Sequence, residues 1–209
     1  MSSPSSRRVI LAALFGNTAI AAIKTLAAMW TGSSAMASEA IHSFVDTGNQ
    51  LLLLWGLRQS ARPATAQHPF GHGLRLYVWT FLVAVMIFGV GACVSIYEGI
   101  TKILHPEPLS HPALNFVVLG LGMLFEGFVF CQAWCELKRR HPEGGIWAAA
   151  KRSKDPTVFT VLFEDAAALA GLAIAALGIG LSVWLHAPWL DGAASILIGL
   201  VLATTAGAL

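Results

Sequence analysis

The stretch YVWTFLVAVMIFGVGACVSIYEGI, residues 77–100, contains a single charged side chain, Glu98, close to its C-terminal end. A helix needs about 20 predominantly apolar residues to cross the roughly 30 Å hydrocarbon layer of a lipid bilayer. The stretch is therefore long enough and apolar enough to be a transmembrane helix, and it decides the fold class of the chain.

The rest of the chain has the same character. Of its 209 residues, 56% are hydrophobic and 11% are charged, whereas an ordinary soluble domain carries about 25% charged residues. We therefore predict an all-α membrane protein, a bundle of six transmembrane helices that forms one domain over residues 1–209. The predicted spans are about 9–30, 36–58, 77–100, 113–137, 158–184 and 191–209.

The basic residues predict the orientation of this bundle. If the N-terminus is cytoplasmic, nearly every Lys and Arg outside the spans falls on the cytoplasmic side, and only Lys102 falls on the other. This positive-inside pattern places both termini in the cytoplasm, and we expect a bacterial inner (plasma) membrane. The net charge of +2 reflects the same bias, so no nucleic-acid partner is expected.

The two ends of the chain also lead to expectations. Arg7 and Arg8 precede the first span as in a signal peptide, but the apolar run is long and no small-residue cleavage site follows it. We therefore interpret it as a helix. The chain stops inside or just after the sixth span, as a truncated chain would.

The second span carries polar groups within an apolar run. In ASEAIHSFVDTGNQLLLLWG, residues 37–56, the polar residues Glu39, His42, Asp46 and Asn49 follow a helical spacing. At 3.6 residues per turn they fall within about 80° of one another and form one stripe. An ionised carboxylate near the bilayer centre costs at least ~2.5–3.5 kcal/mol, so the stripe must face protein, water or an ion.

Two interpretations of this stripe remain open. In one it is a helix-packing network, with Glu39 at the membrane surface and Asn49 bonded to a neighbouring helix. In the other, His42 and Asp46, at i and i+4 on one face, are ligands of a divalent cation. Imidazole and carboxylate ligands suit Zn²⁺ and also Mn²⁺, Fe²⁺ or Co²⁺.

Further ligands would come from the fifth span, VLFEDAAALAG at residues 161–171. Glu164 and Asp165 are adjacent, about 100° apart on a helix, so both cannot point the same way. We favour Asp165 as the ligand, with Glu164 completing the shell or carrying a proton. Alternatively, one of these carboxylates neutralises Lys24 of the first span, since a buried lysine needs an acidic partner.

The remaining polar residues give weaker signals. Glu126 lies well inside the fourth span, and we expect it to be an interhelical hydrogen-bonding residue. The same role, or a place at a span boundary, is expected of Asn17, Glu98 and Asp191.

Cysteine and histidine pairs are a second group of candidates. Cys131 and Cys135 have the i, i+4 spacing of a soft-metal site, but a packing role is favoured for two thiols at this depth. His68 and His72, in the predicted cytoplasmic loop HPFGHG at residues 68–73, either gather ions or are simply solvated.

Three segments together resemble the cation diffusion facilitator family of metal-ion/proton antiporters. The variant EAIHS..D..NQ with FEDAAALAG is similar to the branch that contains the mitochondrial zinc transporter and its bacterial relatives. The segments are TGSSAMASEAIHSFVDTGNQLLLLWGL (31–57), RPATAQHPFGHG (62–73) and LDGAASILIGLVL (190–202).

The resemblance implies a homodimer that works by alternating access in a lipid bilayer. It would export zinc or a similar metal from the cytoplasm and move protons inward, so the metal is a transported substrate and no cofactor is expected. Protonation of an imidazole, near pH 6.5 in water, and metal binding at the same nitrogen exclude each other. Metal–proton exchange at His42 follows from this.

The chain departs from the family pattern at two places. Members commonly carry a His or Asp four residues before the acidic ligand of the fifth span, where this chain has Val161, so the resemblance supplies no fourth ligand. Members also usually carry a cytoplasmic α+β domain after the sixth span, which this sequence does not include. The competing functions are a non-transporting membrane scaffold and a membrane-embedded metalloenzyme, for which no HExxH or nucleophile motif is present.

Overall fold

The computed structural model describes residues 4–63, 65, 69, 71–140 and 156–208, and its elements are helices. The third predicted span is a continuous rod in which a short π-helical turn joins two α-helices. In chain order the elements are α1 (Pro4–Thr31), α2 (Ser34–Ser60), α3 (Arg75–Met86), the π-helical turn (Ile87–Ala92), α4 (Cys93–Leu104), α5 (Pro112–Arg140), α6 (Pro156–Trp184) and α7 (Trp189–Ala208).

Four helical runs among the described residues are long and apolar enough to cross a membrane by length and composition. They are Tyr77–Leu104, Pro112–Gln132, Leu162–Trp184 and Trp189–Ala208. The outside of the bundle carries many large apolar side chains, such as Phe81, Leu124 and Leu177. Exposure of such a surface to water is unfavourable, whereas contact with the hydrocarbon chains of lipids is not. That α1 and α2 also span the membrane stays a prediction.

The helix α2 lies at the centre of the bundle, because it packs against α1, α3, α4, α6 and α7. It starts directly after a sharp connection in which Gly32 has a φ of +68°, a left-handed conformation that costs glycine little. Lys102 of α4 donates a hydrogen bond to the Gly32 carbonyl oxygen (2.7 Å) and holds this connection.

The N-terminus of α2 is capped from the far end of the chain. Ser33 Oγ donates to Asp191 Oδ1 (2.6 Å), and the Ser34 amide donates to Asp191 Oδ2 (2.6 Å). Ser33 Oγ also accepts a bond from the Met36 amide (3.1 Å). The free amides of a helix N-terminus favour such a negative partner. Asp191, expected as a hydrogen-bonding or boundary residue, thus fixes where the polar stripe of α2 begins.

The helices α4 and α7 approach each other closely at a point where small residues meet. A Cβ atom built at Gly99 would lie 2.5 Å from the Gly192 carbonyl oxygen, and one at Gly192 would lie 2.7 Å from that of Gly99. Glycine at both positions lets the backbones touch, as in many membrane helix pairs. Ser195 Oγ then donates to the Ser95 carbonyl oxygen (2.8 Å) and also bonds Ser38 Oγ of α2.

Gly99→Ala should destabilise the bundle, because its methyl group has no space against the α7 backbone. Overpacking of this kind typically costs about 1–3 kcal/mol. Gly120→Ala on α5 is the matched control, since a Cβ there meets nothing within 4 Å. The SDS concentration at half-unfolding should fall for the first variant and stay or rise for the second. Equal midpoints would contradict the packing described.

Asp191→Ala should also destabilise the protein, because the Ser33 hydroxyl and both the amide and the hydroxyl of Ser34 lose a charged acceptor. We expect a loss of roughly 2–4 kcal/mol. The same SDS titration measures it. Glu107→Ala removes an exposed carboxylate from the α4–α5 connection and should leave the midpoint unchanged. An unaffected midpoint in Asp191→Ala would mean that the cap does not stabilise α2.

Candidate metal site

The polar stripe of α2 faces the interior of the bundle. The side chains of Glu39, His42 and Asn49 are buried, and that of Asp46 is 15% exposed. The stripe follows from the 3.6-residue period of the helix, because the positions between its members are largely filled by small or apolar residues. The expectation that the stripe faces away from lipid is met.

His42 and Asp46 form a close pair with spare bonding capacity. The His42 Nε2 and Asp46 Oδ2 atoms are 3.4 Å apart. Neither imidazole nitrogen of His42 has a hydrogen-bond partner among the described residues, and neither does Asp46 Oδ1. A buried polar atom left without a partner costs about 1–3 kcal/mol. A single imidazole nitrogen and a carboxylate oxygen are atoms of the types that bind a divalent cation such as Zn²⁺.

Glu164 and Asp165 of α6 differ in their surroundings. Asn49 Nδ2 donates to Glu164 Oε1 (2.9 Å), so this carboxylate is tied to α2. Asp165 Oδ2 is buried and has no hydrogen-bond partner in the part of the chain that the structure describes. The adjacent carboxylates therefore have separate roles: Glu164 contacts the stripe, while Asp165 retains a free buried oxygen.

The surrounding carboxylates act on this pair through their charge. Glu164, Glu126 and Asp165 all lie close enough to Asp46 to interact with it electrostatically. Within the described residues, however, no three His, Cys, Asp or Glu side chains are close enough to hold one metal ion. The site in this conformation is thus a His42–Asp46 pair flanked by acidic groups of α5 and α6.

Lys24 of α1 pairs with Glu39. Its Nζ donates to Glu39 Oε2 (3.1 Å) and to Ser43 Oγ (2.8 Å), and both charged side chains are 0% exposed. The alternative that Lys24 pairs with Glu164 or Asp165 is therefore wrong. Glu39 does not lie at the surface either, because its carboxylate has to meet the buried ammonium.

Ser43 is the residue that sequence reasoning missed at this point. Its hydroxyl accepts from the Lys24 ammonium and lies one turn along α2 from Glu39. The sequence did contain a signal for Ser43, because the i, i+4 spacing of Glu39 and Ser43 places both residues on one face of α2. A serine in an apolar helix is too common to stand out without the lysine opposite it.

Glu126 is buried on α5, within electrostatic range of Lys24 and Asp46, so it flanks the site. The remaining candidates lie outside this cluster. Cys131 and Cys135 are free and exposed on α5, so their predicted packing role is wrong. His72 is buried, which contradicts a solvated loop histidine at that position. His68 lies outside the described residues.

Comparisons with known proteins identify the family of the chain. The family described as cation efflux transmembrane domain matches residues 10–209. The mitochondrial proton-coupled zinc antiporter SLC30A9 of Xenopus laevis is 36% identical over 197 residues, which is 93% of this chain and 35% of the relative. Metal tolerance protein C4 of Arabidopsis thaliana is 34% identical over 208 residues, 96% of this chain and 44% of the relative.

A bacterial relative is more distant. The magnetosome protein MamM of Paramagnetospirillum magneticum is 24% identical over 194 residues, 91% of this chain and 56% of the relative. The chain spans about a third to a little over half of the length of these relatives. Together with its apolar helices, the family match shows that this chain is an integral membrane protein and belongs to the cation efflux family, also called the cation diffusion facilitator family.

Proposed function

We propose that this chain is the membrane domain of a divalent-cation transporter, with zinc as the favoured cargo, and not an enzyme. The observation that carries the proposal is the His42–Asp46 pair, whose two nitrogens and one oxygen are buried without partners among the described residues. The similarity to relatives that include a proton-coupled zinc antiporter supports zinc and protons as the exchanged ions.

The proposed ligands come from α2 and α6. His42 and Asp46 supply one nitrogen and one oxygen, Asp165 supplies the carboxylate with a free buried oxygen, and Glu164 is the alternative. Zinc takes four ligands in a tetrahedral arrangement. Closing such a shell requires α6 to move relative to α2, because three ligands do not converge in the described conformation. Alternating access would provide this movement.

Proton exchange would occur at the same atoms. A nitrogen of His42 binds either a proton or the cation, so loading the metal releases any proton held there. Carboxylates behave in the same way. Exposure of the site to the cytoplasm and then to the other side would therefore exchange a cation for protons. Export from the cytoplasm is the direction that we propose.

The proposed setting is a six-span bundle with both termini cytoplasmic, assembled as a homodimer. The distribution of Lys and Arg supports this orientation. The comparisons do not support a bacterial inner membrane in particular, since similar relatives include a mitochondrial protein. We therefore make no proposal about the host membrane.

His42→Ala and Asp46→Ala should each weaken Zn²⁺ binding to the purified protein at least about tenfold, because each removes a proposed ligand. Isothermal titration calorimetry in detergent measures the Kd. His186→Ala and Glu107→Ala are the matched controls, since they remove an exposed imidazole and an exposed carboxylate outside the bundle. Wild-type protein that binds no Zn²⁺ would favour a non-transporting scaffold, and unchanged binding in both variants would contradict this site.

Asp165→Asn and Glu164→Gln separate the two carboxylates of α6. In proteoliposomes with a zinc gradient, we expect Asp165→Asn to abolish zinc-driven proton flux, because an amide is a poor zinc ligand and does not take up the exchanged proton. Glu164→Gln should keep measurable flux, since its side-chain oxygen can still accept the Asn49 hydrogen bond. The reverse result would exchange the two roles.

A further inference from the structure

Lys24 is a cation fully enclosed by helices. Its ammonium lies between α1 and α2, where it is bonded to Glu39 and Ser43. On the α5 side, a Cβ atom built at Gly122 would lie 3.3 Å from Lys24 Cε. No other Lys or Arg among the described side chains is completely buried, since Lys102 retains 9% exposure.

Stability alone gives a poor explanation of this ion pair. Removing two charges from water costs roughly what their attraction returns, and packed apolar residues of similar size often serve as well or better. The location of the pair suggests a different role. Ser43 directly follows His42 in α2, so the lysine is anchored beside the proposed metal ligands. Its charge interacts with His42 and Asp46.

The two charges of the ion pair do not act equally on the site. The ammonium bonds Ser43, the residue that follows His42 in α2. The charge of Lys24, and not that of Glu39, is the one that acts on His42 and Asp46. A second cation entering between these residues is repelled, and charges inside a protein are screened much less than in water.

We propose that Lys24 is an internal counter-charge that sets the affinity of the His42–Asp46 site, weakening divalent-cation binding so that the ion can be released. The inference rests on the proposed function and adds a residue that does not touch the ion. Glu39 accepts a hydrogen bond from the Lys24 ammonium and holds it in place. A transporter needs such a limit, because a site that binds its cargo too tightly does not release it.

The test is Zn²⁺ titration calorimetry on the full chain in detergent. Lys24→Met keeps the length of the side chain and removes its charge, and we expect the Kd to fall at least about tenfold, or about 1.4 kcal/mol. Lys24→Arg keeps the charge and should stay within about threefold of wild type. Lys138→Met removes an exposed lysine near the end of α5 and should leave the Kd unchanged.

Lys24→Met leaves the Glu39 carboxylate buried without its partner, so this variant carries a risk of misfolding. The double variant Lys24→Met, Glu39→Gln removes both charges and decides the question if the single variant aggregates. It should still bind Zn²⁺ more tightly than wild type, because of the two charges only that of Lys24 acts on His42 and Asp46.

The outcomes separate the two proposals. The role of Lys24 is overturned if Lys24→Met and the double variant both keep the wild-type Kd. If His42→Ala loses binding in the same experiments, the proposed metal site itself still stands. Unchanged binding in His42→Ala would instead overturn the site itself. A lower Kd in Lys24→Met, together with a wild-type Kd in Lys24→Arg, would establish that the charge of residue 24, and not its packing, sets the affinity.

Discussion

Hydrocarbon offers no hydrogen bonds, and this constraint explains how the bundle is organised. Each polar group placed in an apolar helix has to meet another one inside the protein. The polar stripe of α2 therefore faces inward, and α2 becomes the central helix. Its polar groups form hydrogen bonds with Lys24 of α1, Glu164 of α6 and Ser195 of α7. Buried atoms of His42, Asp46 and Asp165 are among those that remain without a partner in the described part of the chain, and these three residues are the cation ligands that we propose.

Much of this arrangement could be predicted from the sequence. The apolar stretches coincide with helices whose ends lie within a few residues of the predicted ones, because hydrophobicity and length determine them. The stripe was predictable because the helical period depends only on sequence spacing. The π-helical turn at Ile87–Ala92 could not be predicted, because its residues are as apolar as those of the α-helices on either side of it.

Pairings between helices were the difficult part. The sequence indicates that Lys24 needs an acidic partner, but Glu39, Glu164 and Asp165 all satisfy that requirement. The choice depends on how α1 and α2 are rotated against each other, which the packing of small residues determines. For the same reason, the exposure of Cys131 and Cys135 could not be deduced, because every face of α5 is apolar enough to be buried.

The cap that Asp191 places on α2 has a consequence for assembly. A chain is synthesised from its N-terminus, and this carboxylate follows Ser34 by 157 positions. Until α7 has been made and has docked, the first turn of α2 lacks the partner that fixes its start. The helix with His42 and Asp46 is thus completed last, although it is the second to emerge. Formation of the proposed cation site is thereby coupled to completion of the helical bundle.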